Sequence, residues 1–174
     1  MRLFKIFVPN LTKFSVFVTA LLVFSFQYSH SAQAKDLNGR LGVGFNNEYS
    51  NSTWSKPVPA LSVKYGMTKG FHVQADLGFN TGTPSAFTLG GKFYRNIFYE
   101  TNFNFYGAAA VAYVKAGEGG VEVLGLLGGE FFIPGVDSLG FLFEAGVSGT
   151  NITGSFLLKT VGFTFINAGM HFYF

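Results

Sequence analysis

Residues 71–80 read FHVQADLGFN. Phe71, Val73, Ala75, Leu77 and Phe79 alternate with His72, Gln74, Asp76, Gly78 and Asn80. Successive side chains of a strand point to opposite faces, so this period of two predicts a strand with one apolar and one polar face. The fold turns on which of those faces points inward.

The same alternation recurs outward from this segment in both directions. Segment 38–47 sets Leu41, Val43 and Phe45 against Arg40, Gly42, Gly44 and Asn46, and 58–66 sets Leu61, Val63 and Tyr65 against Ser62, Lys64 and Gly66. Segment 86–95 opposes Phe87, Leu89, Gly91 and Phe93 to Thr88, Gly90, Lys92 and Tyr94. Segments 100–114, 121–132 and 140–149 follow the pattern, and a closing strand carries Met170, Phe172 and Phe174 on its apolar side and His171 and Tyr173 on the other. The apolar residues of Leu158–Phe165 are out of phase with that ending, which predicts a bulge near Ile166–Asn167. Compact turns are expected at 65–70, 94–99 and 133–140, and longer Gly/Ser/Asn-rich loops at 46–57, 80–85, 115–120 and 149–155. Eight antiparallel up-and-down strands with turns and loops alternating place the loops at one rim and the turns, with both termini, at the other.

The first 34 residues are read separately. Arg2, Lys5 and Lys13 precede an apolar run from Phe14 to Phe26, and Ala32-Gln33-Ala34 offers a small-x-small cleavage site. This predicts a cleaved secretory signal over 1–34 and a mature barrel domain over 35–174; an uncleaved anchor helix is the alternative. The formal net charge of +3 then belongs to the signal, because residues 35–174 hold nine cations and nine acids. Such a balance offers no electrostatic footprint for nucleic acid. There is no cysteine, so neither a disulfide framework nor a lipid-modified cysteine is available.

If the apolar faces point inward, the chain is a secreted lipocalin-like barrel. Its exterior would then be Gly, Asn and Ala with few charges, poorer than the roughly 25–35% charged residues that suit a soluble surface. More than twenty large apolar side chains would also overfill an eight-stranded interior. With the faces reversed, Gly, Ala, Ser, Asn and a few charges fill a narrow lumen, while Phe, Leu and Val face lipid. The expected fold is therefore all-β, an eight-stranded antiparallel up-and-down transmembrane β-barrel.

On these residues, and on the turn Tyr65-Gly66-Met67-Thr68-Lys69-Gly70 and the Met170, Phe172, Phe174 ending, the chain resembles the small eight-stranded outer-membrane β-barrels of Gram-negative bacteria, the superfamily of the OmpA barrel, OmpX and OmpW. The resemblance covers 35–174. It implies a monomer in the cell outer membrane, surrounded by outer-membrane lipid and lipopolysaccharide, with turns and termini periplasmic and loops extracellular. It also implies that Met170, Phe172 and Phe174 form an assembly signal read by the barrel-assembly machinery.

Chemistry is sparse. His72 and His171 are placed at the turn rim, out of reach of the loop-side Ser50, Ser52, Ser85 and Ser155, so no nucleophile–base pair, and hence no enzyme, is expected. Two histidines alone do not argue for a metal, and no cofactor is expected. Arg40, Lys64, Asp76, Lys92, Glu122, Glu130 and Glu144 share the polar face and are expected to form a structural lumen charge network. Ala108, Ala110, Ala112, Leu124 and Leu126 line the loop half of that face as a candidate apolar pocket. Tyr49, Trp54, Tyr65, Tyr94, Tyr99 and Tyr113 lie near strand ends, as an interfacial girdle would. The expected role is structural, adhesive or surface contact through the loops. The alternatives are a narrow conduit or binding site for a small hydrophobic compound, and the secreted lipocalin-like binder.

Overall fold

Alternation carried through to pairing produces a closed barrel. The structure is a computed structural model that describes residues 35–46, 59–83, 85–152, 154–161 and 166–174. The expected signal 1–34, the loop residues 47–58 and, within them, Tyr49 and Trp54 lie outside the described residues. The strands are β1 (Leu41–Asn46), β2 (Ala60–Gly66), β3 (Phe71–Asn80), β4 (Ala86–Glu100), β5 (Phe103–Ala116), β6 (Glu118–Phe132), β7 (Leu139–Thr150), β8 (Leu157–Val161) and β9 (Asn167–Tyr173). Each pairs antiparallel with its sequence neighbour from β1 to β7. β9 pairs with both β7 and β1, which closes the ring.

The eighth stave of the barrel is split. β8 pairs with the loop-end half of β7, starting at Gly146↔Val161, and β9 with the turn-end half, ending at Glu144↔Asn167. One β7 residue, Ala145, thus spans the interval between Val161 and Asn167. The phase break expected near Ile166–Asn167 falls in this interruption.

Two expected connections differ. Strand β4 runs on to Glu100 instead of turning at 94–99; a register shift between Asn96 and Phe98 absorbs Ile97 as a bulge residue, and the chain turns at Thr101–Asn102. The segment 115–120 is not a loop, because β5 and β6 stay paired up to Ala116↔Glu118 and reverse at Gly117, whose φ of 84° suits glycine. The register between β5 and β6 is unbroken from Phe103↔Phe131 to that turn. No bulge therefore rotates the alanines of β5 outward.

The polar parity faces in. Ser62, Lys64, His72, Gln74, Asp76, Thr88, Lys92, Asn104, Glu122, Glu130 and Glu144 are buried, and Leu41, Phe45, Leu61, Phe79, Leu89, Val111, Leu127 and Phe143 are exposed on the outside. The exposed charges of the strands and hairpins sit at the two ends: Lys69, Arg95 and Glu100 toward the turns, Lys115 and Glu118 at the Gly117 reversal. Between them runs an uncharged apolar belt.

Closure of the seam requires a glycine. A Cβ on Gly44 of β1 would lie 2.7 Å from the backbone carbon of Met170 and 2.8 Å from Cα of His171, atoms of the partner strand that cannot rotate aside. Gly44→Ala is expected to destabilise the barrel by about 1–3 kcal/mol, as overpacking does. Gly125→Ala is the control, since a Cβ there meets nothing within 4 Å. Denaturant midpoints that move equally for both substitutions would remove the steric account.

Candidate functional site

The lumen is built in layers, and β6 measures its depth, because its inward residues descend from Phe132 at the turn end through Glu130, Gly128, Leu126 and Leu124 to Glu122 near the loops. At the turn end the segment 35–40 crosses the mouth. Leu37 packs in a buried cluster with Phe132 and Tyr173. Lys35 pairs with Asp137 at 2.6 Å, and its carbonyl accepts from Asn104 Nδ2 at 3.1 Å. The hydrogen bond and charge of Lys35 hold the Asp137 carboxyl below the usual carboxylate range. Arg40, expected inside, instead donates to the carbonyls of Asp137 and Tyr173 at 3.1 and 3.3 Å. Its residue lies where β1 has not yet begun, so its long side chain reaches along the mouth and ties the turn to the chain end.

The next layers hold the charge network. Lys64 donates to Glu130 Oε2 at 2.8 Å, and Tyr173 donates to Glu130 Oε1 at 2.5 Å. Lys92 and Tyr106 donate to the two oxygens of Glu144 at 2.5 and 2.7 Å. The Lys64 ammonium also lies 4.3 Å from the centre of the Tyr94 ring, and Tyr94 meets Tyr106 edge to face. Tyr94 donates to Gln74, Gln74 donates to Asp76 Oδ1, and Asn46 donates to the same oxygen. Pleat parity put Tyr94 inward although it was expected in an interfacial girdle. It is fully buried, whereas Tyr65 and Tyr113 are exposed. Gly128 makes the space, since a Cβ there would meet Glu144 Cγ at 2.7 Å and the Tyr106 ring at 3.0 Å.

His72 and His171, expected at the turn rim, are both buried within the lumen. Ser62 Oγ and His171 Nε2 are 2.8 Å apart, and His171 Nδ1 is 3.7 Å from Glu130. This serine–histidine–acid order resembles that of a hydrolase. Ser62, His171 and Glu130 are each 1% exposed or less, however, and Glu130 is held by Lys64 and Tyr173. A nucleophile needs access to its substrate as well as a base. The trio is a buried, hydrogen-bonded part of the lumen network. Among the described residues, no group of three His, Asp or Glu side chains is arranged to hold a metal.

Toward the loops the lumen becomes apolar. Ala110, Ala112, Leu124 and Leu126, with Ala108 against them, are packed in one buried apolar cluster together with Val114, Ile152 and Val161. The candidate pocket residues are thus brought together and packed from above by a loop residue and from the side by β8. Glu122, expected in the same lumen charge network, lies beyond this layer, and Leu124 and Leu126 stand between it and Glu130 along β6. Its neighbour Lys159 was missed: it sits on β8, opposite the inward Ser148, in the stretch whose phase could not be matched to the chain end.

Met170, Phe172 and Phe174 all face outward, with the Phe172 and Phe174 rings 5.2 Å apart, and Phe174 N donates to Leu41 O at 2.9 Å. The barrel therefore presents an apolar belt outside and a filled polar interior, and the chain finds no match among protein-family models, curated proteins or solved structures.

Proposed function

We propose that the chain is an integral outer-membrane β-barrel protein of a Gram-negative cell, with a structural and surface-contact role carried by its loops. The observation that supports this reading is the inversion of the barrel. Large apolar side chains cover its outside between two charged ends, while Lys64, Lys92, Asp76, Glu130 and Glu144 are buried within. In water that exterior is an aggregation hazard. In a bilayer it is the favoured arrangement, because the closed ring leaves no unpaired strand edge in hydrocarbon.

The placing of turns and the segment 35–40 at the periplasmic side, with the loop 151–156 outside, follows the same reading, as does an assembly role for Met170, Phe172 and Phe174. A structural role is favoured over a conduit because charged, aromatic and apolar layers succeed one another along the lumen. The test uses one purified sample. Membrane extraction should require detergent, and single-channel recordings in planar bilayers should be silent. A stable monomer in plain buffer would overturn the membrane assignment, and steady conductance would overturn the filled-barrel role.

A further inference from the structure

The segment 35–40 is a strap tied down at the turn-end mouth. Gly39 N donates to Gly66 O at 2.8 Å, and Gly66 N donates to Arg40 O at 3.0 Å. Arg40 N closes a turn on Leu37 O at 3.0 Å, and Asn38 N donates to Asp36 Oδ1 at 2.9 Å. Gly66 is bare where the strap passes. A Cβ on it would lie 2.6 Å from the carbonyl carbon of Leu37 and 3.3 Å from Asn38 N, and the atoms it would meet all belong to the strap.

Asn38 and Gly39 are exposed on this strap, although Leu37 before them is buried. They are the one Asn-Gly pair in the sequence. Such a pair is chemically labile, because glycine has no side chain to keep its amide nitrogen away from the preceding side-chain carbonyl, and asparagine is among the thermolabile residues. Here the approach is open, since a Cβ at Gly39 would meet nothing within 4 Å, and the Asn38 side chain has no hydrogen-bond partner among the described residues. One contact opposes reaction: the Gly39 N–H is engaged by Gly66 O. The nitrogen that must lose its proton is held as a donor for as long as the strap is docked.

We propose that Asn38 is a modification site controlled by the strap: it deamidates when the strap lifts, and the product no longer docks. The Gly39 nitrogen gives its proton to water and bonds to Asn38 Cγ. The bond from Cγ to Nδ2 breaks, and Nδ2 takes up a proton and leaves as ammonia. Water then opens the cyclic imide, and attack at the main-chain carbonyl leaves an isoaspartyl linkage with one more methylene in the backbone. One water is consumed and one ammonia released, so water is the only co-reactant. The lengthened chain loses the spacing that lets Gly39 N reach Gly66 O while Leu37 packs with Phe132 and Tyr173. The strap belongs to the barrel mouth whichever solvent surrounds the outer belt, so the membrane assignment can fail without it.

The experiment ages the purified full-length chain at mildly alkaline pH, in detergent micelles or in buffer if the chain proves soluble, and follows position 38 by peptide mass spectrometry. Conversion should be slower by about tenfold or more in the folded wild type than in the same chain unfolded in urea, since reaction in the folded state waits on local opening. Gly66→Ala, which displaces strap atoms alone, and Leu37→Ala, which removes the buried anchor, should each move the folded rate toward the unfolded one. An unchanged strand signal in circular dichroism would show that the variants keep the barrel, and the wild-type comparison needs neither of them. In the isoaspartyl fraction, trypsin should cut after Arg40 faster than in the fresh protein. Equal rates in the folded and unfolded wild type would overturn the proposal. So would variants that keep the barrel without any gain in rate, or equal cleavage of aged and fresh protein.

Discussion

Replacing Lys64 by Met is expected to cost about 3–5 kcal/mol of barrel stability, the range for removing one partner of a buried ion pair. The loss is large because of what stays behind. Glu130 is 1% exposed and would keep, among the described residues, the Tyr173 hydroxyl and the His171 ring, 3.7 Å away, as polar neighbours. Lys64 also gives up its position 4.3 and 5.4 Å from the Tyr94 and Tyr106 ring centres. The double variant Lys64→Met, Glu130→Gln removes the stranded charge and should recover much of the loss, because a neutral amide is far cheaper to bury than a carboxylate. Reversible denaturant unfolding of the wild type, the two single variants and the double variant makes the comparison. A Lys64→Met penalty below about 1 kcal/mol, the level of an exposed pair, would show that water reaches this layer of the lumen.

The second large effect is expected on the other face. Leu127 projects from the middle of β6 and is 56% exposed. Leu127→Arg should cost about 2–4 kcal/mol when the barrel is folded in lipid vesicles, falling to about 0–1 kcal/mol for Met67→Arg at the turn end. This depth dependence separates a bilayer from water, where a surface substitution is ordinarily within about 0.5 kcal/mol. A flat profile would count against the membrane assignment while leaving the barrel itself untouched. The two predictions are thus independent, one reading the interior and one the exterior.

The barrel was largely legible because its signal is local. In β3, five apolar and five polar residues alternate without exception, and pairing preserved that parity in every neighbouring strand. The inward placing of Lys64, Asp76, Lys92, Glu130 and Glu144 followed from parity alone. Parity fails where a strand gains or loses residues, which is why Lys159 went unnoticed beside the break between Val161 and Asn167. Turn chemistry misled at 94–99 and 115–120 for a related reason. Asn96 and Gly117 resemble loop punctuation, yet the partner strands were long enough to keep pairing past the first and up to the second.

By itself, then, the sequence determined which face of most strands is apolar, how many staves the barrel has and that Lys64, Asp76, Lys92, Glu130 and Glu144 face its lumen, since these depend on neighbours two residues apart. It did not determine who meets whom across the interior. Lys64 and Glu130 are 66 residues apart, Lys92 and Glu144 are 52 apart, and Ser62 and His171 are 109 apart. Only closure brings those pairs to hydrogen-bond distance, and only closure separates Glu122 from the charges it resembles, because height along the lumen depends on strand register. Register is set by the whole ring at once, with a glycine at Gly44 letting its last seam shut.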